Sequence, residues 1–207
     1  MAQRVQEELV AVPRSAVRFP LELPVPQGFT PDLPETWPLV EGQLEFVGGK
    51  LFYMPPCADR QQETTADVVV VLGIWRRAHP EFIIATNEAG MILDGDTRGA
   101  DAAVWRRSEV GALQGRFRRV PPVLAVEVQG ELEDEAALRA KARWYVAHGV
   151  ASVWLLFPES MRVLVMHGAD ERFFAMGERL PEHHTLPGLS PLVDELFEQI
   201  ALRTVSP

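Results

Sequence analysis

Two carboxylates lie in apolar segments of strand character, where an isolated charge is unfavourable. Side chains alternate across a strand, so in residues 123–129 Glu127 shares one face with Gln129 while the opposite face is apolar. Asp101 opens a second apolar segment, residues 101–105. A buried carboxylate is strongly destabilising unless it is paired or binds a metal. Because Mg²⁺ prefers oxygen ligands and takes one or two protein carboxylates, these residues predict a divalent cation site.

A lysine follows Glu127 on a helix predicted over residues 133–148 and ended by Gly149. Residues at three- and four-residue spacing share one face of this helix, namely Ala137, Lys141, Trp144, Tyr145 and His148. That face holds the apolar positions that pack on the sheet, so Lys141 is expected to point toward the carboxylates. Its ammonium could orient or help deprotonate a metal-bound water and stabilise charge on a phosphate. Glu45, in an early hairpin, could complete the cluster.

Structural roles are the alternative for each of these residues. Glu127 could pair with a buried arginine, Arg98 or Arg143, and have no catalytic function. A hairpin glutamate such as Glu45 is commonly solvated, and Tyr145 is expected to be a core residue. The combination of strand carboxylates with a helix lysine favours the interpretation as a site.

Other reactive or charged residues are expected to have ordinary roles. His183 and His184 are interpreted as an exposed pair in a loop. Cys57 has no evident base partner, so a nucleophilic thiol is not predicted. One loop is rich in arginine and could either contact phosphates or be a solvated surface; its arginines are Arg116, Arg118 and Arg119.

The composition limits the class of protein. The chain of 207 residues is long enough for one sizeable core, and its net charge of −9 argues against coating nucleic acid by bulk electrostatics. A local basic groove could still hold DNA. The longest apolar run, residues 68–75, is far shorter than the roughly 20 residues that cross a bilayer. With Cys57 as its one cysteine the chain has no internal disulfide, so we expect a soluble cytoplasmic protein without membrane contact.

The order of predicted elements indicates an α/β (α+β) fold. Residues 1–38 carry seven prolines and predict an extended arm, which makes a homodimer plausible; residues 39–207 form the domain. Gly48 and Gly49 predict a hairpin turn. The predicted elements are hairpin strands at 44–46 and 50–54, helices at 61–78, 133–148 and 191–202, and strands at 82–85, 91–93, 101–105, 123–129, 152–157, 162–167 and 172–175. This order is typical of a mixed β-sheet flanked by helices.

The order and spacing of these residues resemble the Uma-two group of endonucleases, within the PD-(D/E)XK restriction-endonuclease-like superfamily. The most specific feature is the spacing from Glu127 to Lys141, Tyr145 and Gly149, and the resemblance covers roughly residues 40–200. It is carried by the strings LEFVGGKL at 44–51, NEAG at 87–90, RGAD at 98–101, PVLAVEV at 122–128, VWLLFP at 153–158 and LPGLSPL at 186–192.

The resemblance implies a restriction-endonuclease-like fold and a nuclease that hydrolyses DNA phosphodiester bonds with Mg²⁺ or Mn²⁺. It implies that Asp101 and Glu127 bind the ion and that Glu45 assists. The backbone carbonyl of Val128 is a further implied ligand. Lys141 matches a helix lysine that recurs in the group.

The chain also departs from the family pattern. Gln129 stands where the superfamily has its catalytic lysine, or this group often an arginine, and a neutral amide cannot replace that charge. Lys141 would then have to take the role. The other departures are Ala100 for proline, Gly130 for serine, Gln61 for histidine and Phe157 for aspartate. They define an alternative function, a weakened or inactive nuclease fold that acts as a binding or interaction module.

Overall fold

The computed structural model describes residues 17–112 and 117–204. Within them the strands are β1 (Leu21–Leu23), β2 (Gln43–Val47), β3 (Lys50–Met54), β4 (Phe82–Leu93), β5 (Asp96–Arg106), β6 (Leu124–Val128), β7 (Ser152–Phe157), β8 (Arg162–His167) and β9 (Asp170–Ala175). The helices are α1 (Asp59–Ala78), α2 (Arg107–Val110), α3 (Glu135–Ala147) and α4 (Glu198–Thr204). None of these described helices has the length and apolarity needed to cross a membrane.

The strands form one mixed sheet in the order β1-β3-β2-β5-β6-β7-β8-β9, and β4 also pairs with β5. β6 and β7 are parallel, and α3 connects them. β5 pairs with β4 along its length, with β2 at Thr97, and with β6 from Ala102 to Val104. Residues 98–101 therefore lie between the pairings with β2 and β6, and their backbone groups are open to side chains.

Helices cover both faces of the sheet, as the sequence predicts. On one face α1 packs Val68 and Leu72 against the sheet, and on the other α3 packs Leu138, Ala142 and Tyr145. All five of these residues are at most 1 % exposed. The two apolar layers fix β5, β6 and α3 relative to one another, and the candidate site lies among these elements.

Two local predictions are confirmed in detail. Gly48 and Gly49 form the turn between β2 and β3 with φ angles of 58° and 79°, as a two-residue hairpin turn of this type requires. The valine run in α1 is helical, because Val68 and Leu72 are buried while Val70 between them is 57 % exposed. That spacing of buried residues follows the helical period of 3.6.

Two other element predictions are wrong. The predicted strands at 82–85 and 91–93 are one strand, β4, which continues through a bulge between Thr86 and Ala89. The helix predicted at 191–202 is divided into a 3₁₀ turn at Val193–Leu196 and α4. At β4 tertiary packing overrides the local signal, because pairing with β5 keeps the two segments in one strand.

The described part of the proline-rich arm lies against the sheet. β1 pairs with β3, and the Phe19 ring contacts the Tyr53 ring at a centroid distance of 6.1 Å. Phe29 contacts Phe46 at 5.0 Å. Residues 1–16 of the predicted arm lie outside the described residues. The boundary at residue 38 and the homodimer stay predictions.

Candidate active site

The candidate site is built where β5 lacks a strand neighbour on the side away from β4. The backbone N–H of Gly99 donates to Oε1 of Glu45 at 3.1 Å, and the Gly99 carbonyl accepts from Lys141 Nζ at 2.8 Å. Both backbone groups are thereby satisfied by side chains instead of a β-ladder, as buried backbone groups must be. A break in strand pairing thus positions a glutamate from β2 and a lysine from α3.

Lys141 joins two carboxylates that come from different strands. Its Nζ lies 2.9 Å from Glu45 Oε1 and 2.9 Å from Glu127 Oε2. Together with the bond to the Gly99 carbonyl, these contacts use all three protons of the ammonium. Burial lowers the pKa of Lys141, but the charges of Glu127 and Glu45 outweigh burial and raise that pKa well above its ordinary value. Lys141 is therefore a fixed positive charge.

Glu127 is held at both of its oxygens. Oε2 accepts from Lys141, and Oε1 accepts from the Tyr145 hydroxyl at 2.6 Å. The residue is 4 % exposed. Burial raises the pKa of Glu127 to about 8, against the lowering effect of Lys141 and with further raising by Asp101 and Glu45. Each carboxylate oxygen keeps a second lone pair, so Glu127 can still donate to a cation.

Glu45 belongs to this buried cluster and is not the solvated hairpin glutamate of the alternative interpretation. It is 5 % exposed and forms a 2.6 Å ion pair with Arg98, whose guanidinium also lies over the Trp144 ring. Burial raises the pKa of Glu45, but Lys141 and Arg98 lower it further, so the net shift is downward. Glu127 shares Lys141 but has no arginine, which explains why its pKa moves the opposite way.

Asp101 lies beside Glu127 across the β5–β6 pair. The paired register ends at Ala102 and Val126, so Asp101 stands one step beyond it, at the position opposite Glu127. Its Oδ2 accepts the backbone N–H of Val128 at 2.7 Å, and Gln61 on α1 donates to the same carboxylate. Burial raises the pKa of Asp101, more than these bonds and Lys141 lower it. Asp101 also lines a cleft of about 80 Å³, here called the Asp101 cleft.

The charges and donors of this cluster suit a divalent cation. Three carboxylates face two cations, Lys141 and Arg98, and burial, with the neighbouring carboxylates, raises the pKa values of Asp101 and Glu127. Among residues 17–112 and 117–204, no three acidic, cysteine or histidine side chains form a ready ligand cage. Mg²⁺ does not require one, since it keeps several waters and binds through one or two carboxylates plus substrate phosphates. The residues present therefore fit such an ion.

Two glutamates near the site were not predicted from the sequence as site residues. Glu88 and Glu133 line the Asp101 cleft, and burial raises the pKa of Glu133 to about 7. Asn87 and Glu88 have φ angles of 58° and 60°, which for non-glycine residues is strained. The bulge they form in β4 lies opposite Asp101. The NEAG string marked this segment, but nothing in it indicated a bulge. Tyr145 is a core residue as expected, and its hydroxyl also serves Glu127.

The remaining candidate residues lie outside this cluster or keep ordinary roles. Gln129 Nε2 donates to the Glu133 carbonyl, so its side chain is tied to the following loop. Cys57 lines the Asp101 cleft, and desolvation raises the pKa of its thiol to about 11, which leaves it a poor nucleophile. Arg119 pairs with Asp32. Arg118 lies over the Trp105 ring, and Arg143 is exposed. The His183 ring contacts the His167 ring at a tilt of 48°. Arg116 lies outside the described residues.

A mixed sheet with helices on both faces, and carboxylates from neighbouring strands beside a helix lysine, defines the class of restriction-endonuclease-like proteins. The family model Uma2, described as "Putative restriction endonuclease", matches residues 32–200, and the chain belongs to this family.

One solved structure similar to the chain is titled a "putative nuclease belonging to DUF820" from Anabaena variabilis. The two share 15 % identity and a TM-score of 0.70, over 79 % of this chain and 94 % of that one. At this identity the likeness shows the fold. No curated protein matches the chain.

Proposed function

We propose that this protein is a divalent-cation-dependent endonuclease that hydrolyses phosphodiester bonds in DNA. Membership of the Uma2 family supports a nuclease. The observation that carries the proposal is the position of Asp101 and Glu127, side by side on β5 and β6, with the Lys141 ammonium 2.9 Å from Glu127. Acidic side chains on adjacent strands beside a fixed cation suit a site that receives a metal ion and a phosphate.

The ion, Mg²⁺ or Mn²⁺, would be held by Asp101 and Glu127, with Glu45 nearby and the Val128 carbonyl as a further ligand. When bound it would supply positive charge against the scissile phosphate and acidify a water molecule. The N–H of Val128 already fixes one oxygen of Asp101. With Gln61 as a second donor to this carboxylate, the remaining lone pairs of Asp101 stay available for the cation.

Lys141 has an electrostatic role in this proposal. Its raised pKa keeps it protonated, so it does not remove a proton from water. It orients Glu127 through a hydrogen bond and Glu45 through an ion pair, while the Gly99 carbonyl holds the ammonium in place. Its charge stabilises negative charge that develops on the phosphate. Gln129 stays a predicted site residue only as the replacement for the superfamily lysine, since its amide bonds to the Glu133 carbonyl.

Tyr145 and Arg98 are positioning residues. The Tyr145 hydroxyl holds Oε1 of Glu127, and the Arg98 guanidinium holds Oε2 of Glu45. Because Tyr145 is buried between α3 and the sheet and Arg98 lies over the Trp144 ring, the carboxylates have little freedom to rotate. Preorganised ligands of this kind lower the cost of binding a cation in the correct geometry.

A plasmid-nicking assay tests the proposal. Purified protein is incubated with supercoiled DNA and Mg²⁺ or Mn²⁺, beside Glu127→Gln and the exposed control Glu182→Gln. Removing a charged ligand should lower the nicking rate by at least about a hundredfold. The control should nick like the wild type. Equal nicking by Glu127→Gln and wild type, or no cleavage by any of the three proteins, would contradict the proposal.

A second candidate function is a binding module that retains the nuclease fold without catalysis. The observation that favours it is that Lys141 and Arg98 already neutralise Glu45, while Gln129 contributes no charge. Such a module would bind its partner through surfaces that need no cation. Partner binding that survives Asp101→Asn and Glu127→Gln together, in a protein that does not nick DNA, would favour this function.

A further inference from the structure

A second cleft adjoins the Asp101 cleft and is built from different chemistry. It has a volume of about 250 Å³, and we call it the aromatic cleft. The lining residues that matter here are Trp37, Gln43, Glu88, Thr97, Arg98 and Phe117. Gln43 and Glu88 line both clefts, so the two are neighbours divided by these side chains.

One wall of the aromatic cleft consists of two fixed rings. The Trp37 and Phe117 ring centroids are 5.9 Å apart with planes tilted by 42°. Trp37 is further held by its Nε1–H, which donates to the Pro31 carbonyl at 3.1 Å, and by an edge contact with Phe29. Rings held in place on a partly exposed surface form a ready platform for a flat ligand, because little side-chain freedom is lost on stacking.

The other wall contains a buried hydroxyl without a partner. Thr97 Oγ1 has no hydrogen-bond partner within the described part of the chain. Arg98 also lines the cleft, but its guanidinium is directed to Glu45 and the Trp144 ring. Thr97 is 1 % exposed. A buried polar atom without a partner is destabilising, so such atoms in a cleft wall indicate that a ligand supplies the missing bond. The Gln43 amide beside them can both donate and accept.

The floor of the aromatic cleft contains two glycines on which neighbouring side chains lie closely. A Cβ on Gly90 would lie 2.5 Å from the Phe117 ring, and a Cβ on Gly99 would lie 2.8 Å from Gln43 Nε2. The absence of side chains at these positions lets the ring and the amide settle onto the backbone of β4 and β5. Gly99 is two residues from Asp101, so a ligand on this floor sits beside the proposed cation site.

The charge of the protein favours a ligand recognised by stacking. The net charge is −9, and both lysines of the chain are engaged, Lys50 with Glu22 and Lys141 in the buried cluster. Glu88 adds negative charge between the two clefts. Tracking a DNA backbone by electrostatics alone is therefore weak here. A base has a π-face for the rings and polar edges for Thr97 and Gln43, but it can offer both only when it is unpaired.

We infer that the aromatic cleft binds an unpaired nucleobase of DNA next to the phosphate that is cleaved, which makes single-stranded or locally unpaired DNA the substrate class. The inference rests on the proposed nuclease function for the assignment of DNA as the substrate. The base stacks on Trp37 and Phe117, and its polar edge meets the hydroxyl of Thr97 and the amide of Gln43.

The test measures binding without turnover. A fluorescein-labelled 12-nucleotide single strand of mixed sequence and the same sequence as a duplex are titrated in EDTA, and anisotropy is recorded. The wild type is expected to bind the single strand more tightly than the duplex. Trp37→Ala should lose about fivefold or more in affinity for the single strand, while Trp37→Phe keeps a ring and most of the affinity. Phe173→Ala, a half-exposed aromatic on β9, is the matched control and should bind like the wild type.

Thr97→Val keeps the test decisive where Trp37→Ala does not fold, because it removes only a hydroxyl. It should weaken single-strand binding by roughly fivefold and leave duplex binding unchanged. Equal affinity of the wild type for the single strand and the duplex would overturn the inference. A preference for the single strand that survives in folded Trp37→Ala or in Thr97→Val would also overturn it. A free deoxynucleotide that binds as tightly as the single strand would also overturn it. Plasmid nicking without a preference for single strands refutes only base binding in the aromatic cleft. A preference for single strands without nicking refutes only the proposed nuclease function.

Discussion

The hydroxyl of Tyr145 donates a 2.6 Å hydrogen bond to Oε1 of Glu127 inside the layer that α3 forms with the sheet. The same glutamate accepts from Lys141 at its other oxygen. The Glu127 carboxylate is thus held at both of its oxygens by donors from one helix, and the two donor residues are four apart in the chain. This spacing puts both donors on the same face of α3.

Removal of the Tyr145 hydroxyl should destabilise the protein. Tyr145→Phe leaves a buried carboxylate oxygen without its donor, so the free energy of unfolding should fall by about 1–3 kcal/mol. Urea denaturation measures this change. Tyr53→Phe is the matched control, since that hydroxyl donates to the Glu41 carbonyl at an exposed position and should cost much less. Equal losses in the two variants would contradict the structural role of Tyr145.

The two lysines of the chain should differ sharply in their contribution to stability. Lys141→Met leaves Glu45 and Glu127 buried without their shared cation and should cost about 3–5 kcal/mol. Lys50→Met breaks an ion pair with Glu22 in which both side chains are more than half exposed, and should cost at most about 1 kcal/mol. Chemical denaturation of both variants checks the difference. A loss below about 1 kcal/mol for Lys141→Met would show that the buried cluster is not held by its charge.

The bulge opposite Asp101 should contain backbone strain at Glu88. Its φ of 60° suits glycine but not alanine, so Glu88→Gly should be more stable than Glu88→Ala by about 1 kcal/mol. Both variants lose the same carboxylate, so their difference reports on the backbone alone. At Thr86, which keeps an ordinary strand conformation, the order should reverse, with alanine more stable than glycine. Melting temperatures of the four variants give the comparison, and alanine more stable than glycine at both positions would refute the strain.

Acidification should destabilise the fold through His167 and His183, whose rings are in contact. Burial and the neighbouring rings lower the pKa values of His167 and His183 below 6.5, with His184 and Asp170 as the other groups that face them. The unfolded chain therefore takes up protons first, and stability falls as the pH drops below about 6.5. Between pH 7.5 and pH 5, the melting temperature of His183→Gln should fall by less than that of the wild type. An equal fall in melting temperature with pH in the two proteins would show that these histidines do not titrate in this way.

Local chemistry made much of the fold predictable. The turn glycines Gly48 and Gly49 fix the hairpin, and short continuous apolar runs predict β6, β7 and β8, because each signal depends on residues that are neighbours in the chain. The bulge at Glu88 could not be foreseen, since its left-handed backbone is imposed by pairing with β5 and not by its own residues. The division of the C-terminal helix into a 3₁₀ turn and α4 could not be foreseen either.

The candidate site was predictable in composition but not in connection. Asp101 and Glu127 stood out as carboxylates in apolar strands, and Lys141 as a cation on the packed face of a helix. Whether Glu45 is solvated or buried depends on Arg98 and Lys141, which lie far from it in sequence. Predictions for such contacts need the tertiary arrangement, because the cost of burying a charge depends on which partners the fold brings to it.

Asp101 and Glu127 are proposed to hold one divalent cation together, and calorimetric titration with Mn²⁺ shows whether they do. The wild type should bind one Mn²⁺ per chain. Asp101→Asn and Glu127→Gln should each weaken that binding by about tenfold or more, while Glu182→Gln leaves it unchanged. Wild-type affinity retained in both site variants, or no binding of Mn²⁺ by the wild type, would contradict the account.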